Sequence, residues 1–167
     1  NLFVEKCNVR SYIVGIIACD QSRLVARNNT CEGNRHSGIV LFDSAQGEVE
    51  GNTCRNSFLS GIAAYDQSRL VAKNNTCEGN GSGIALYGSA QGEVEGNTCR
   101  NNRLNGIAAS EQTRLVAKNN TCEGNGSGIA LYGSAQGEVE GNTCRNNRLN
   151  GIAASEQTRL VAKNNTC

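Results

Sequence analysis

The sequence predicts an all-β chain wound as a right-handed, single-stranded parallel β-helix of about seven coils, each of 22–23 residues and three short strands. Three observations predict it. Residues 77–121 recur without a change as 122–166, so the chain is a repeat array. Within each copy the tripeptide Asn-Thr-Cys returns every 22 or 23 residues, at 29–31, 52–54, 75–77, 97–99, 120–122, 142–144 and 165–167, and a Gly-Ile pair travels with it. A short period with fixed landmarks is the mark of a solenoid. Finally, Gly and Asn are abundant while Pro, Met and Trp are absent, a mix that favours short strands joined by tight turns over long helices.

Each element follows from the repeat. A unit holds three short alternating stretches, as at 106–109, 114–118 and 121–123, with Asn, Gly, Ser and Gln between them. A leucine-rich repeat needs several leucines at set offsets, and this unit has one or two. A hexapeptide helix needs a six-residue apolar period, and none is present. Three strands per turn, each stacked on its equivalent, leaves the parallel β-helix, with right-handed connections by strong preference. The coils fall at 7–30, 31–53, 54–76, 77–98, 99–121, 122–143 and 144–166, within a single domain spanning 1–167. At the ordinary strand spacing the stack is roughly 35 Å long.

Stacking makes columns of equivalent residues, and the columns are compatible. Four residues before each Cys stand Arg27, Glu50, Lys73, Glu95, Lys118, Glu140 and Lys163, alternating in sign at every step. After the Cys stand Glu32, Arg55, Glu78, Arg100, Glu123 and Arg145, which alternate as well. Opposite charges on adjacent strands contribute little energy each, but a slip by one coil would stack like on like. Size alternates too: Leu24, Gly47, Leu70, Gly92, Leu115, Gly137 and Leu160 in one column, against Ala18, Leu41, Ala64, Leu86, Ala109, Leu131 and Ala154 in another. Large meets small within each coil, as close packing requires. The unit of structure is therefore a pair of coils, which explains the forty-five-residue copy.

Asn52, Asn75, Asn97, Asn120 and Asn142 recur at a turn, where Asn tolerates left-handed backbone and its amide can donate to one neighbour and accept from the other. The rival reading is glycosylation: Asn28, Asn74, Asn119 and Asn164 match Asn-x-Thr, and Asn80 and Asn125 match Asn-x-Ser, a match that repetition at a turn also produces. Eight of the nine cysteines (Cys7, Cys31, Cys54, Cys77, Cys99, Cys122, Cys144 and Cys167) share one column, and Cys19 stands alone. They read as buried free thiols acting as small hydrophobes. Parallel side chains in register point the same way, which is poor disulfide geometry, and the count is odd. No Cys-x-x-Cys occurs and His36 is the only histidine, so no metal site is assigned; an exposed thiolate column would suit only a soft ion such as Cu(I).

The small apolar residue, then Asn-Asn-Thr-Cys or Gly-Asn-Thr-Cys, then Asn and Gly-Ile, resembles the right-handed β-helix repeats of the pectate-lyase-like superfamily. The resemblance covers essentially the whole chain and is specific for fold, not for activity. That superfamily includes polysaccharide lyases and hydrolases. The resemblance implies that a lyase would need clustered Asp ligands for calcium with an Arg or Lys base, and a hydrolase would need converging carboxylates. Here Asp20, Asp43 and Asp66 could line up at one turn of the first coils, but later coils carry Gly88, Glu111, Gly133 and Glu156 there. His36 and Ser37 have no partner acid at a meaningful spacing and read as a surface turn. No catalytic residue and no cofactor are assigned, and the chain is expected not to be an enzyme.

Other roles are narrower. Net charge is +1 with no concentrated basic face, so no nucleic-acid partner is expected. No apolar run reaches membrane length and no basic-then-apolar leader is expected at Asn1; the compartment is left open. An ice-binding face needs Thr-x-Thr, and Thr occurs singly beside Cys. Sugar binding needs exposed aromatics; Tyr87 and Tyr132, with Phe42 and Tyr65, form either a strip on one face or a cover over a turn.

The first expectation is thus a non-enzymatic structural scaffold, engineered or duplicated by copying two coils. The alternatives are a fragment of a carbohydrate-binding or carbohydrate-active β-helix and a natural protein-interaction module. Uncapped strand edges at both ends are expected to drive end-to-end self-association.

Overall fold

The computed structural model describes residues 1–11 and 13–167. Among them are twenty-two strands and no helix. The strands form three sheets of eight, seven and seven, all paired in parallel, and each sheet takes one strand from successive coils. The chain is a parallel β-solenoid with three strands per coil. In coil 5 the observed strands are Asn105–Ala109 and Arg114–Lys118, followed by Thr121–Glu123 at the start of coil 6. They fall on the three stretches that the alternation predicts.

The ion-pair sheet contains Arg114–Lys118 and its equivalents. Its exposed ends alternate in charge, and the register sets Glu95 between Lys73 and Lys118. Its inward positions are Leu or Gly and then Ala or Val. The cysteine sheet contains Thr121–Glu123 and sets Cys99 between Cys77 and Cys122. The isoleucine sheet contains Asn105–Ala109 and sets Ile107 between Ile84 and Ile129. Ile, Cys, Leu, Ala and Val from the three sheets meet in one buried apolar column through the axis.

The predicted volume compensation is visible at atomic scale. A Cβ built on Gly47 would lie 2.7 Å from Leu41 Cδ1, and one on Gly92 only 2.5 Å from Leu86 Cδ2. Each glycine thus gives its side-chain volume to the leucine of its own coil.

From coil 2 onward each coil turns three corners, and each corner uses a left-handed residue. Asn28, Gly51, Asn74 and Gly96 occupy the first, with φ of 54, 64, 53 and 66°. Asn and Gly alternate here for a steric reason: a Cβ on Gly51 would lie 2.6 Å from Asn28 Oδ1 of the coil before. The exposed asparagine folds its amide over the bare glycine. At the third corner the left-handed residues are Asp20, Asp43, Asp66, Gly88, Glu111, Gly133 and Glu156.

Candidate functional site

The buried asparagines behind the first corner form the ladder expected from the sequence. Asn75 donates from Nδ2 to Asn97 Oδ1 at 2.9 Å, and Asn97 donates to Asn120 Oδ1 at 3.0 Å. Each Oδ1 also accepts the backbone N–H of the preceding asparagine, as from Asn75 at 2.9 Å. Each amide further donates to a main-chain carbonyl, as Asn97 does to Ala72. Acceptor and donors are all used in holding coil to coil.

A second ladder, not anticipated from the sequence, stands behind the second corner. Asn80 donates to Asn102 at 3.2 Å, Asn102 to Asn125 at 2.9 Å and Asn125 to Asn147 at 3.2 Å. Asn34 and Ser57 begin it. The signal was present, because each of these residues lies three positions after a Cys. The ladder also accounts for both Asn-x-Ser matches: Asn80 and Asn125 are fully buried and engaged. The third corner has no such ladder. Ser22, Ser68 and Thr113 alternate there with Ala45, Ala90 and Ala135, and the three hydroxyls are buried without a partner.

Cys31, Cys54, Cys77, Cys99, Cys122 and Cys144 are buried free thiols, while Cys7, Cys19 and Cys167 are exposed. Hydrogen bonds with Cys54 and Cys99, together with burial, push the Cys77 thiol well above its ordinary range. Its hydrogen bond with Cys122, then burial, does the same for Cys144. Cys77 and Cys144 are thereby held as neutral thiols and pack as small apolar groups.

The charged columns pair selectively. Arg55, Arg100 and Arg145 each reach Glu32, Glu78 and Glu123 of the preceding coil, at 3.2, 2.9 and 3.0 Å. Arg10 also holds Glu32, at 2.8 Å. The Arg10 and Arg55 hydrogen bonds keep the Glu32 carboxyl below the usual carboxylate range. On the ion-pair sheet, Lys73 and Lys118 reach Glu95 and Glu140 of the following coil, at 3.5 and 3.9 Å. Shallow depressions recur between these side chains, such as the one lined by Arg69, Gly92, Glu93 and Arg114. Each mixes both charges.

The acidic column is also in place. Asp20, Asp43 and Asp66 occupy equivalent left-handed positions, all exposed, and the Asp20 N–H donates to Asp43 Oδ2 at 3.4 Å. Among the described residues no group of three or more His, Cys, Asp or Glu is arranged to hold a metal ion. His36 lies half-buried at the second corner of coil 2 with Nδ1 buried and unpartnered, and Ser37 beside it is fully buried.

The outer face of the isoleucine sheet differs from the other two. Its outward-facing residues Val40, Ala63, Ala85 and Ala130 are fully buried although they point away from the axis. An aromatic residue stands two positions after each of them. Phe42 stacks on Tyr65 with centroids 4.6 Å apart, and Tyr65 on Tyr87 at 4.9 Å. The Tyr132 hydroxyl reaches Asn105 Oδ1 at 3.3 Å, at the first residue of the neighbouring strand, so its ring crosses the face. Burial pushes the Tyr87 phenol up from its ordinary value. Burial, then the neighbouring Tyr87, pushes the Tyr65 phenol up to about 12. Of the two readings of the four aromatics, the strip on one face holds for Phe42, Tyr65 and Tyr87. A ridge of exposed apolar residues, Phe58, Leu59, Leu104 and Leu149, flanks this face. Arg103 stacks over Phe58 at 5.2 Å and donates to its carbonyl oxygen.

Comparison with known proteins agrees with this geometry. The family described as the right handed beta helix region matches residues 13–167. The chain belongs to the right handed beta helix family. Its coils therefore wind with the expected hand. No curated protein matches the sequence. Among solved structures, a double mutant of the periplasmic alginate epimerase AlgG matches with a TM-score of 0.69 and 14% identity, over 99% of this chain and 50% of that one. The chain spans half the length of that protein, and the likeness is one of fold.

Proposed function

We propose that this β-helix is a non-enzymatic structural scaffold, a rod with repeating faces made by copying a two-coil unit. The observation that carries the reading is the pair of buried amide ladders. Their polar groups, which in a binding cleft would face a ligand, bond the coils to each other. The charged columns act likewise, each Glu answered by a cation from an adjacent coil. Screening against acidic polysaccharides with and without calcium tests the reading. The expected outcome is no saturable calcium-dependent binding and no cleavage; either one would replace the scaffold with a carbohydrate-active protein.

The same reading includes end-to-end self-association. The outermost strands of the eight-stranded sheet, Leu2–Glu5 and Arg159–Lys163, each have one unpaired edge. Stacking one copy on another would bring Glu5 against Lys163 and continue the alternation of charge. Sedimentation should show concentration-dependent association, and a strictly monomeric profile at about millimolar protein would remove this part of the proposal.

A further inference from the structure

The outer face of the ion-pair sheet is striped. Side chains alternate along a strand, so each full strand puts three positions on this face. Arg23–Arg27, Arg69–Lys73, Arg114–Lys118 and Arg159–Lys163 each present Arg, Val and then Arg or Lys, two positive charges per strand. Gln46–Glu50, Gln91–Glu95 and Gln136–Glu140 each present Gln, Glu and Glu, two negative charges. Leu2–Glu5 opens the series with Phe3 and Glu5 outward, a negative stripe. Eight stripes therefore cross the sheet, negative and positive by turns.

Relief follows charge. Three depressions open on this face at two-coil intervals, at Glu48, Glu93 and Glu138, and arginines of the flanking strands wall each one, as Arg69 and Arg114 do at Glu93. None of the three exceeds 190 Å³, below the roughly 300 Å³ of an ordinary ligand cleft. They have room for side chains. Several charges here also lack a mate. Arg23 holds Glu48 at 2.5 Å, but among the described residues the equivalent Arg114, Arg159, Glu93 and Glu138 join no ion pair.

We propose that this face is an interface with a second copy of the chain, packed face to face about a two-fold axis parallel to the strands. Such an axis reverses the order of the coils and keeps the direction of the strands. With full overlap the first stripe meets the eighth, the second the seventh, and so on. Because the stripes number eight, every facing pair is opposite in sign. Lys73 then meets Glu95 of the second copy, and Glu93 comes down on its Val71, between Arg69 and Lys73. The ends match too: Phe3 and Val161, exposed at 62% and 52%, face each other. An axis along the tube would set every stripe on its own counterpart, like on like, and so would a slip of one coil. The face measures about 38 by 16 Å, so the pair buries about 1,200 Å² in total, at the lower limit for a specific complex. A net charge of +1 leaves little overall repulsion between copies. The dimer is closed and does not depend on end-to-end stacking, which would grow without limit.

The test is sedimentation of the unmodified chain in about 20 mM and about 500 mM salt. A dimer is expected at low salt with a dissociation constant on the order of 0.1 mM, weakened at least about tenfold at high salt. Glu93→Arg and Arg69→Glu, both at exposed positions beside the axis, should each weaken it at least about tenfold while moving Tm by less than about 2 °C. Mixed in equal amounts, the two variants should recover the dimer, because the mixed pair restores opposite charges at both symmetry-related contacts. Misfolding of either variant could not produce that recovery. Absence of a dimer at low salt, a dimer indifferent to both variants, or no recovery on mixing would overturn the proposal. Growth beyond two copies that ignores Glu93→Arg would support end stacking and overturn this interface; a closed dimer without growth would support this interface alone. Binding of polyglutamate by chains that never dimerise would give the face to a foreign acidic partner and overturn the second copy as its occupant.

Discussion

The interior of the tube and its charged exterior carry the same two-coil rhythm in different currencies. Inside, Leu41 fills the space above Gly47 and Leu86 that above Gly92, so volume alternates. Outside, Lys73 meets Glu95 and Arg100 meets Glu78, so sign alternates. Interior errors create overlaps, voids or unpaired polar groups that water cannot relieve, whereas exterior errors are screened. The interior therefore supplies stability, and the exterior mainly opposes one-coil slips.

Interior substitutions should break that contrast most severely. Ile107 is fully buried between Ile84 and Ile129, and Ile107→Asp would leave a charge with no partner. Thermal or denaturant unfolding should show a loss of more than about 4 kcal/mol or no folded protein; unchanged stability would mean that this side chain does not point inward. Asn97→Ala comes next. It strips the acceptor from both the N–H and the Nδ2 of Asn75 and a donor from Ala72 O. Each group left unpaired costs about 1–3 kcal/mol, readable in a urea titration and in faster amide exchange at Asn75.

Gly92→Ala forces a methyl against Leu86 and should cost about 1–3 kcal/mol. Combining it with Leu86→Val should recover part of that loss, and strictly additive costs in the double-mutant cycle would refute volume sharing within a coil. Glu95→Lys on the exterior places like charges against Lys73 and Lys118. It should cost less than about 1 kcal/mol and fade with added salt. A loss as large as that of Asn97→Ala would erase the proposed division of labour.

The smallest effect is spectroscopic. Tyr65 is raised from 10.0 to about 12 in the fold, so its contribution is intact below pH 10 and disappears as pH climbs towards 12. Phenolate absorbance should keep developing across that window and sharpen to an ordinary titration on unfolding.

Much of this architecture was readable from the sequence because β-stacking converts period into contact. Once Cys77, Cys99 and Cys122 are one column, Glu78, Arg100 and Glu123 must be another, and the observed register agrees. What period alone cannot give is the choice between equivalent neighbours. Arg100 has a Glu on either side, and only side-chain packing selects Glu78 over Glu123. The second amide ladder was obscured by Ser57 among asparagines and by coil 1, where Val9 rather than Cys7 pairs with Cys31, so that Cys7 falls outside the expected cysteine column and Ser11 takes the ladder position. The placement of the rings was hidden for another reason: Tyr132 reaches across coils to Asn105, and that reach is set by its rotamer, not by position in the repeat.

Both amide ladders run one way. Asn29 gives to Asn52, Asn52 to Asn75, and so on to Asn165; Asn80 gives to Asn102 and onward to Asn147. No step reverses among these bonds, so the rod has a sense, like an arrow, and its two ends present opposite chemistry to an approaching strand. At the first coil the leading carboxamide oxygens, of Asn29 and Asn34, already accept the Cys7 and Ser11 N–H groups, while at the last coil Asn165 has no further asparagine to receive its amide protons. Any extension must therefore arrive head first, and two rods meeting with like ends could not knit.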